Sequence, residues 1–217
     1  MRGTLGEETC AAWIRNVRRA KKDWARDFGG EQFTLGRAFY THYETERSDL
    51  YFRDAAASDR RVEQHLPGMQ TWVTDLFARM VGATARKRMG FCGPGVHVFP
   101  AREKVAKHGG IVHYDVEGLT PIALARRHAA LSLVVMLQVP EHGGGLRLYD
   151  VEYSGTESVS DEELKAPRAT VRYRNGDALL MSSYRLHQIR PFRGTRDRVS
   201  ITLHAEEVDR GVWETWF

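Results

Sequence analysis

The chain has 217 residues, enough for a single domain with a substantial hydrophobic core. Hydrophobic residues make up 42% of it and charged residues 28%, which excludes a disordered or collagen-like chain. The 32 basic and 28 acidic residues leave a net charge of +4, and no apolar run reaches the roughly 18 residues of a membrane helix. With no signal-peptide pattern and only Cys10 and Cys92, which are too few for a disulfide framework, we expect a cytoplasmic protein with free thiols.

The first eighty or so residues are predicted to be helical. Apolar and aromatic residues recur at helical spacing in 10–28, 31–47 and 62–80, and Gly29-Gly30 ends the first of these segments. Aromatic side chains on such stripes belong far more often to a core than to a cofactor site. We therefore expect these helices to pack against a sheet.

From about residue 86 the pattern changes to short β-rich segments separated by glycine and charged residues. Asn175-Gly176 predicts a hairpin between two of these segments, and Pro121–Arg127 predicts one helical insertion. Eight or nine short strands predict a jelly-roll barrel, although a sandwich fits the pattern almost as well. The predicted strands are 88–92, 96–100, 110–115, 130–139, 146–151, 169–174, 177–182, 186–192 and 198–208.

The whole chain is predicted to form one domain, mainly β with some α, because no repeat or linker divides it. Residues 1–85 are expected to form a helical N-terminal support and 86–208 the jelly-roll core. Residues 209–217 form a C-terminal segment.

A group of candidate metal ligands lies in the β half. His113 and Asp115 are two residues apart in a predicted strand, so both side chains point to the same face and can reach one metal ion. His187, in a distant predicted strand, supplies a third ligand. Two imidazoles and one carboxylate occupy one face of an octahedral ion and leave positions open, an arrangement associated with Fe(II) oxygenases. A structural zinc site would be closed and would usually include cysteine, which is absent near these residues.

Arg198 and Ser200 lie beyond His187 and share one strand face. A guanidinium group and a hydroxyl on an inward face suit a carboxylate that must be held inside an apolar barrel. Arginine keeps its proton when buried, and a carboxylate partner compensates its charge. We therefore expect this pair to bind a carboxylate.

With these residues in this order, the sequence resembles the Fe(II)/2-oxoglutarate-dependent dioxygenase superfamily, whose fold is a double-stranded β-helix. The resemblance covers roughly residues 86–208. It implies that iron is held by His113, Asp115 and His187, and that Arg198 and Ser200 bind the distal carboxylate of 2-oxoglutarate. The residues that carry it are His113-Tyr114-Asp115, the run 176–183 that leads to His187, Arg198-Val199-Ser200, and 131–149, which is similar to the family's central hairpin.

The same resemblance implies the reaction. O2 and 2-oxoglutarate would be consumed, succinate and carbon dioxide released, and a bound substrate hydroxylated. The carboxylate at Asp115 favours hydroxylation over halogenation, because related halogenases have a small residue there. Desaturation and ring formation use the same ligands and stay open as alternatives.

Strand parity identifies candidates for substrate binding. Thr202 and His204 follow Arg198 on the same strand face, and His97 faces the cavity by the same reasoning. Trp213 could cover the substrate near the end of the chain, although hydrophobic anchoring of the C-terminus is the alternative. For Thr202, His204 and His97, the alternative is ordinary packing in the core.

His204 also competes with His187 for the role of third metal ligand. Its parity with Arg198 would direct its side chain into the barrel. We prefer His187, because it precedes the arginine at the family's spacing, whereas His204 follows it.

The sequence leaves the substrate open. Basic residues outnumber acidic ones in 86–107 and 185–198, which we interpret as an anion-attracting mouth or as ordinary solvated surface. A small polar substrate, such as an anionic or zwitterionic amino acid or a biosynthetic intermediate, fits best. The alternatives are a prolyl-type hydroxylase of protein side chains, which often has lysine in place of Arg198, and a non-enzymatic cupin-like barrel. No nucleic-acid partner is expected, because the second arginine of the demethylases is here His204.

Overall fold

The structure, a computed structural model, describes residues 1–217 and has a jelly-roll core built from two facing sheets. The helices are α1 (Glu7–Arg19), α2 (Phe39–Tyr43), α3 (Ser48–His65), α4 (Met69–Val81), α5 (Lys104–His108), α6 (Pro121–Arg126) and α7 (Asp161–Lys165). The strands are β1 (Ala25–Asp27), β2 (Gln32–Leu35), β3 (Thr84–Lys87), β4 (Gly95–Phe99), β5 (Ala130–Gln138), β6 (His142–Gly143), β7 (Leu146–Glu152), β8 (Arg168–Val171), β9 (Ala178–Ser182), β10 (Arg185–Ile189), β11 (Phe192–Arg193), β12 (Arg198–Asp209) and β13 (Val212–Trp216).

The larger sheet is organised around β12. One edge of β12 pairs with β5, and its other edge pairs first with β4 and then with β13. Strand β9 extends the sheet beyond β5, while β2 and β1 extend it beyond β4. All of these pairs are antiparallel, and β3 adds a parallel strand beside β13.

Alternation along β12 separates the hydrophobic core from the candidate site. Val199, Ile201, Leu203 and Ala205 are buried in one apolar cluster with residues of α1, α3 and α4. Burying an aliphatic side chain of this size contributes about 1.5–3 kcal/mol, so this face fixes the helices on the sheet. The other face of the strand carries the polar residues Arg198, Ser200, Thr202 and His204, as period-two alternation requires.

The smaller sheet has the order β10-β7-β8, with antiparallel pairing throughout. An isolated bridge between His113 and His187 adds the segment before Asp115 to its edge. The predicted strand 110–115 therefore forms only one bridge. A ribbon of β6 and β11 lies beside this sheet.

Several predictions of local structure from the sequence were wrong. Residues 88–92 form no strand, since the strand here is Thr84–Lys87, and Ala25–Asp27 in the predicted helical segment 10–28 is strand β1. The segment 31–47 is not one helix: Gln32–Leu35 joins the sheet as β2, and only Phe39–Tyr43 is helical. Its aromatic residues fit a helical stripe, but pairing of β2 with β4 satisfies the backbone instead. Asn175-Gly176 does not close a hairpin either, because β8 pairs with β7 and β9 pairs with β5. The turn at Asn175-Gly176 connects β8 in the smaller sheet to β9 in the larger sheet. Local turn chemistry does not determine with which strand each of the two pairs.

The C-terminus is anchored in the core. Phe217 accepts a hydrogen bond from Phe39 N at 2.7 Å and donates one to Cys92 O at 3.1 Å. Trp216 and Phe217 are both buried, and so are the thiols of Cys10 and Cys92, which form no disulfide. None of the helices combines the length and the apolar character that crossing a membrane requires.

Candidate metal centre

Backbone hydrogen bonds bring the three candidate ligands together. His113 N donates to His187 O at 3.1 Å, and His187 N donates to His113 O at 3.0 Å. Asp115 N donates to Ser183 O at 2.9 Å. The segment with the first two ligands is thereby tied to the smaller sheet beside the strand that carries the third.

His113, Asp115 and His187 could hold one metal ion, since one ligand atom from each lies within 4.8 Å of the others. The Nε2 atoms of His113 and His187 lie 3.4 and 3.5 Å from Oδ1 of Asp115. The side chain of His187 is buried, whereas that of His113 is 42% exposed, so the group opens to solvent on the His113 side.

The orientation of both imidazoles suits metal binding. Nδ1 of His113 lies 2.9 Å from Ile111 O, and Nδ1 of His187 lies 2.9 Å from Arg185 O. A carbonyl oxygen only accepts, so Nδ1 carries the hydrogen in both rings, and in the neutral ring Nε2 keeps its lone pair. A bond of this kind orients a metal-binding histidine, and the chemistry of the donor set fits a non-haem iron ion.

The charges of the group reinforce one another. Burial alone would lower the pKa of His113, but the hydrogen bond and charge of Asp115 raise it to about 9. Burial opposes ionisation of Asp115, yet His187, His204 and His113 together hold its pKa well below its usual range. The carboxylate is therefore ionised, which is the form that binds a metal.

Arg198 is buried without an acidic partner. The residue is only 2% exposed, and no carboxylate lies within ion-pair distance of its guanidinium group. It donates from Nη1 to Ser200 Oγ at 3.2 Å and from Nε to Gly144 O at 3.1 Å, and it lies over the ring of Phe99. Burial lowers its pKa from the ordinary value. An anionic ligand that enters here would compensate a charge that the protein leaves unpaired.

Gly144 holds the carbonyl that Arg198 uses. Its φ is 69°, and a Cβ atom at this position would lie 2.5 Å from Cγ of Pro140. A side chain would therefore displace the loop that fixes the guanidinium group.

Tyr173 is a candidate that the sequence analysis missed. Its ring centroid lies 6.0 Å from Cζ of Arg198, and its hydroxyl is buried without a hydrogen-bond partner. Burial raises its pKa to about 12, so the hydroxyl keeps its hydrogen and can donate it. The sequence contained no stronger signal than an aromatic residue in a predicted strand. A buried arginine beside a buried hydroxyl that has no hydrogen-bond partner could together bind a carboxylate.

His97 and Thr202 lie together on the inner face of the larger sheet. Nδ1 of His97 is 3.1 Å from Thr202 Oγ1, and its Nε2 is 3.1 Å from Tyr40 Oη. Burial lowers the pKa of His97 to about 3, so its ring is neutral. Tyr40, which comes from α2, was also missed, because its segment was interpreted as a core helix.

His204 lies beside the metal group but outside it. Its Nδ1 is 3.0 Å from Ser132 Oγ and 3.8 Å from Oδ2 of Asp115. The group whose ligand atoms come within 4.8 Å of one another contains His187 and excludes His204. We keep His204 as a substrate-facing candidate.

The structure does not bring Trp213 to the site. Trp213 lies on the helix-packed face of the sheet, with its ring 5.4 Å from that of Phe77. Trp216 instead pairs with His204 across the two strands, and the two rings lie 6.2 Å apart. The residues differ by an odd number of positions, so alternation puts them on opposite faces.

Acidic partners neutralise the start of the first basic stretch. Arg86 pairs with Glu214 at 2.9 Å, and Arg88 pairs with Glu206 at 3.0 Å in a buried contact. Lys87 pairs with Asp59 at 2.5 Å. These partners neutralise residues 86–88, whereas Arg102 and Lys107 of the same stretch form no ion pair.

No protein-family model matches the chain, and no curated protein matches it in sequence. Solved structures do match. The epimerase SnoN, in complex with Fe3+, alpha ketoglutarate and nogalamycin RO, is 19% identical over 94% of this chain and 76% of its own, with a TM-score of 0.52. The non-heme alpha ketoglutarate dependent carbocyclase SnoK from nogalamycin biosynthesis is 15% identical over 92% and 76%, with a TM-score of 0.55. The chain therefore has the double-stranded β-helix fold of Fe/alpha-ketoglutarate-dependent enzymes.

Proposed function

We propose that this chain is an Fe(II)- and 2-oxoglutarate-dependent oxygenase that hydroxylates a small molecule. The observation that carries the proposal is the combination of a two-histidine, one-carboxylate group with a buried arginine that has no acidic partner. The shared fold with SnoN and SnoK supports it.

Each part of the group has a role in this proposal. His113, Asp115 and His187 hold the iron, and Asp115 contributes the negative charge that offsets the cation. Arg198, Ser200 and the hydroxyl of Tyr173 bind the distal carboxylate of 2-oxoglutarate. When bound, iron and 2-oxoglutarate activate O2 to oxidise a C–H bond, with release of succinate and carbon dioxide.

The polar wall of His97, Thr202, Tyr40 and His204 orients the substrate. His97 is neutral, so this wall offers hydrogen bonds without adding charge. Its position on the inner sheet face, beside the metal group, supports a substrate with hydroxyl or amide groups.

The surroundings of His113 favour a neutral or cationic substrate group over an anionic one, whereas the sequence was compatible with an anionic or a zwitterionic substrate. Burial raises the pKa of Glu117 to about 7 and that of Glu44 above its ordinary value, while His113 lowers both. Neither carboxyl group forms an ion pair. No basic side chain is therefore matched to them.

The test is formation of succinate by purified protein under air, with Fe(II), ascorbate and 2-oxoglutarate, across a panel of amines, amino acids and aromatic metabolites. We expect iron-dependent succinate that one panel member stimulates, and its loss in His113→Ala and Arg198→Ala. His108→Ala and Arg196→Ala are matched controls, because both residues are exposed members of the same chain segments.

Mass spectrometry of the stimulating compound then identifies the outcome. Gain of one oxygen atom supports hydroxylation. Loss of two hydrogen atoms indicates desaturation or ring formation, and an unchanged mass with altered stereochemistry indicates epimerisation. Iron-loaded protein that binds 2-oxoglutarate but forms no succinate with any compound would contradict the proposal and favour a binding barrel.

A further inference from the structure

A second cavity, of about 870 Å³, is formed by segments outside the candidate metal centre. It lies between α5 with the turn before it, the ribbon of β6 and β11, and the loop that follows β11. Neither the metal group nor Arg198 lines it. Phe192, on its wall, packs with Phe99, and Arg198 lies over the ring of Phe99, so this apolar contact stands between the two sites.

Basic residues that have no acidic partner line the cavity. Arg102, Lys107 and Arg193 line it and form no ion pair, and His142 lies opposite Arg193 in the ribbon. Facing residues of an antiparallel pair have neighbouring side chains, so His142 adds a further polar group beside the guanidinium. Most other exposed or half-buried basic residues of the two stretches have acidic partners, as the ion pairs of Arg86, Lys87, Lys104, Arg185 and Arg196 show, and Arg190 is the exception.

Glu141, which contacts the loop after β11, is already engaged by that loop. Glu141 accepts backbone hydrogen bonds from Thr195 at 3.1 Å and from Arg196 at 3.0 Å, and it also pairs with Arg196. The backbone bond from Arg196 is the main reason why the pKa of Glu141 falls to about 2. The carboxylate is therefore ionised, and its hydrogen bonds and its ion pair are made with Thr195 and Arg196 rather than with Arg102, Lys107 or Arg193.

The loop after β11 has a conformation that requires glycine. Gly194 has a φ of 114°, and a Cβ atom there would lie 2.0 Å from Oε2 of Glu141. Glycine allows the loop to wrap around the Glu141 carboxylate, and this wrapping fixes the backbone next to Arg193. One wall of the cavity is thus built by the fold itself.

We propose that this cavity is a second binding site, for a small phosphate-bearing anion. Arginine forks match phosphate oxygens in paired hydrogen bonds, and lysine adds a point charge. A volume of about 870 Å³ lies within the range of small-molecule sites. The ligand meets Arg102, Lys107 and Arg193 at once, with Thr195 as a further donor.

The experiment is calorimetric titration of the metal-free full chain with inorganic pyrophosphate, at low and at physiological salt, in the presence of saturating 2-oxoglutarate. We expect one pyrophosphate per chain. Arg193→Gln and Lys107→Gln should each weaken binding about tenfold, the effect of losing one charge-assisted hydrogen bond. Arg86→Gln is the matched control, since it removes an arginine of the same stretch that is already paired with Glu214, and it should leave the affinity unchanged.

Three results would overturn the proposal. These are the absence of pyrophosphate binding in the wild type, equal affinity in Arg193→Gln and the wild type, or an equal loss in the Arg86→Gln control. Competition by 2-oxoglutarate would place the probe at Arg198 instead. Citrate is the comparison anion, and if it binds as tightly as pyrophosphate, the assignment to phosphate is wrong.

Discussion

His113 and His187 pair through both their backbones and their rings. The two residues exchange backbone hydrogen bonds of 3.1 and 3.0 Å, and their ring centroids lie 4.3 Å apart. Each ring also bonds through Nδ1 to the carbonyl oxygen two residues earlier in the chain. The same local geometry thus occurs twice and leaves both Nε2 atoms near Asp115.

The ligand assignment predicts different losses of iron affinity in two histidine variants. His187→Ala should weaken Fe(II) binding by more than about 100-fold, because it removes a ligand, whereas His204→Asn should cost less than about tenfold. Anaerobic titration with Fe(II) measures both. If the two variants lose iron affinity equally, His204 is a ligand and the assignment of the group is wrong.

Because Arg198 has no acidic partner, we expect its substitution to affect cosubstrate binding but not the stability of the free protein. Arg198→Met should leave the free energy of unfolding unchanged or raise it by about 1 kcal/mol, since replacing a buried charge with an apolar side chain of similar volume is often neutral or stabilising. The variant should lose the rise in melting temperature that 2-oxoglutarate causes in the wild type. Denaturant titration and thermal melts test this. A large loss of stability would show that the bonds to Ser200 and Gly144 outweigh the burial of the charge.

Tyr173→Phe should have opposite effects on folding and on binding. Removing a buried hydroxyl that lacks a partner should stabilise the free protein by about 1 kcal/mol, since an unsatisfied group costs about 1–3 kcal/mol. The affinity for 2-oxoglutarate should fall, because the bound carboxylate loses a donor. Tyr149→Phe is a control from the neighbouring strand. An unchanged affinity in Tyr173→Phe would remove this residue from the proposed pocket.

His97 predicts a dependence of stability on pH. Its pKa is about 3 in the folded protein and about 6.5 in the unfolded chain, so the unfolded state binds more protons between these values. Stability should therefore fall as the pH is lowered below about 6.5, by up to about 1.4 kcal/mol per pH unit from this group. Urea denaturation between pH 7 and pH 5, as an approximate range, compares the wild type with His97→Gln, whose slope should be shallower. Equal slopes would mean that the pKa of His97 is the same in the folded protein as in the unfolded chain.

The buried pair of Arg88 and Glu206 predicts a large effect from a single substitution. Arg88 donates to Glu206, which also accepts bonds from the backbone and hydroxyl of Thr120. Arg88→Met leaves Glu206 buried without its cation and should cost about 3–5 kcal/mol, and adding Glu206→Gln should restore part of this. Arg86→Met, which breaks an exposed pair, should cost less than about 1 kcal/mol in the same urea titration. Equal costs would mean that burial does not strengthen the pair.

The candidate site was predictable where local rules apply. His113 and Asp115 share a face because they are two residues apart, and the same parity put Arg198, Ser200, Thr202 and the nearby His204 on one side of β12. Trp213 shows the limit of such reasoning. Its role depended on which face of β13 lies toward the site, and its pairing with β12 places Trp213 against α4 instead.

Tyr40 and Tyr173 show a second limit. Tyr40 belongs to a segment that follows a helical pattern but supplies both strand β2, between β1 and β4, and a single helical turn. Tyr173 follows β8, whose partner is β7 across the smaller sheet. Each hydroxyl reaches the site through contacts between residues far apart in the chain, and no local spacing encodes these.

The sequence by itself predicted a group that could hold a metal, an arginine suited to a carboxylate and a jelly-roll core, because periodicity and residue chemistry are local properties. Only the tertiary structure showed that the ligand atoms of His113, Asp115 and His187 lie within 4.8 Å of one another without His204. It also showed that acidic partners neutralise residues 86–88, and that Arg102, Lys107 and Arg193 line one cavity. These facts depend on strand pairing and on which charges find partners, and both are settled by long-range packing.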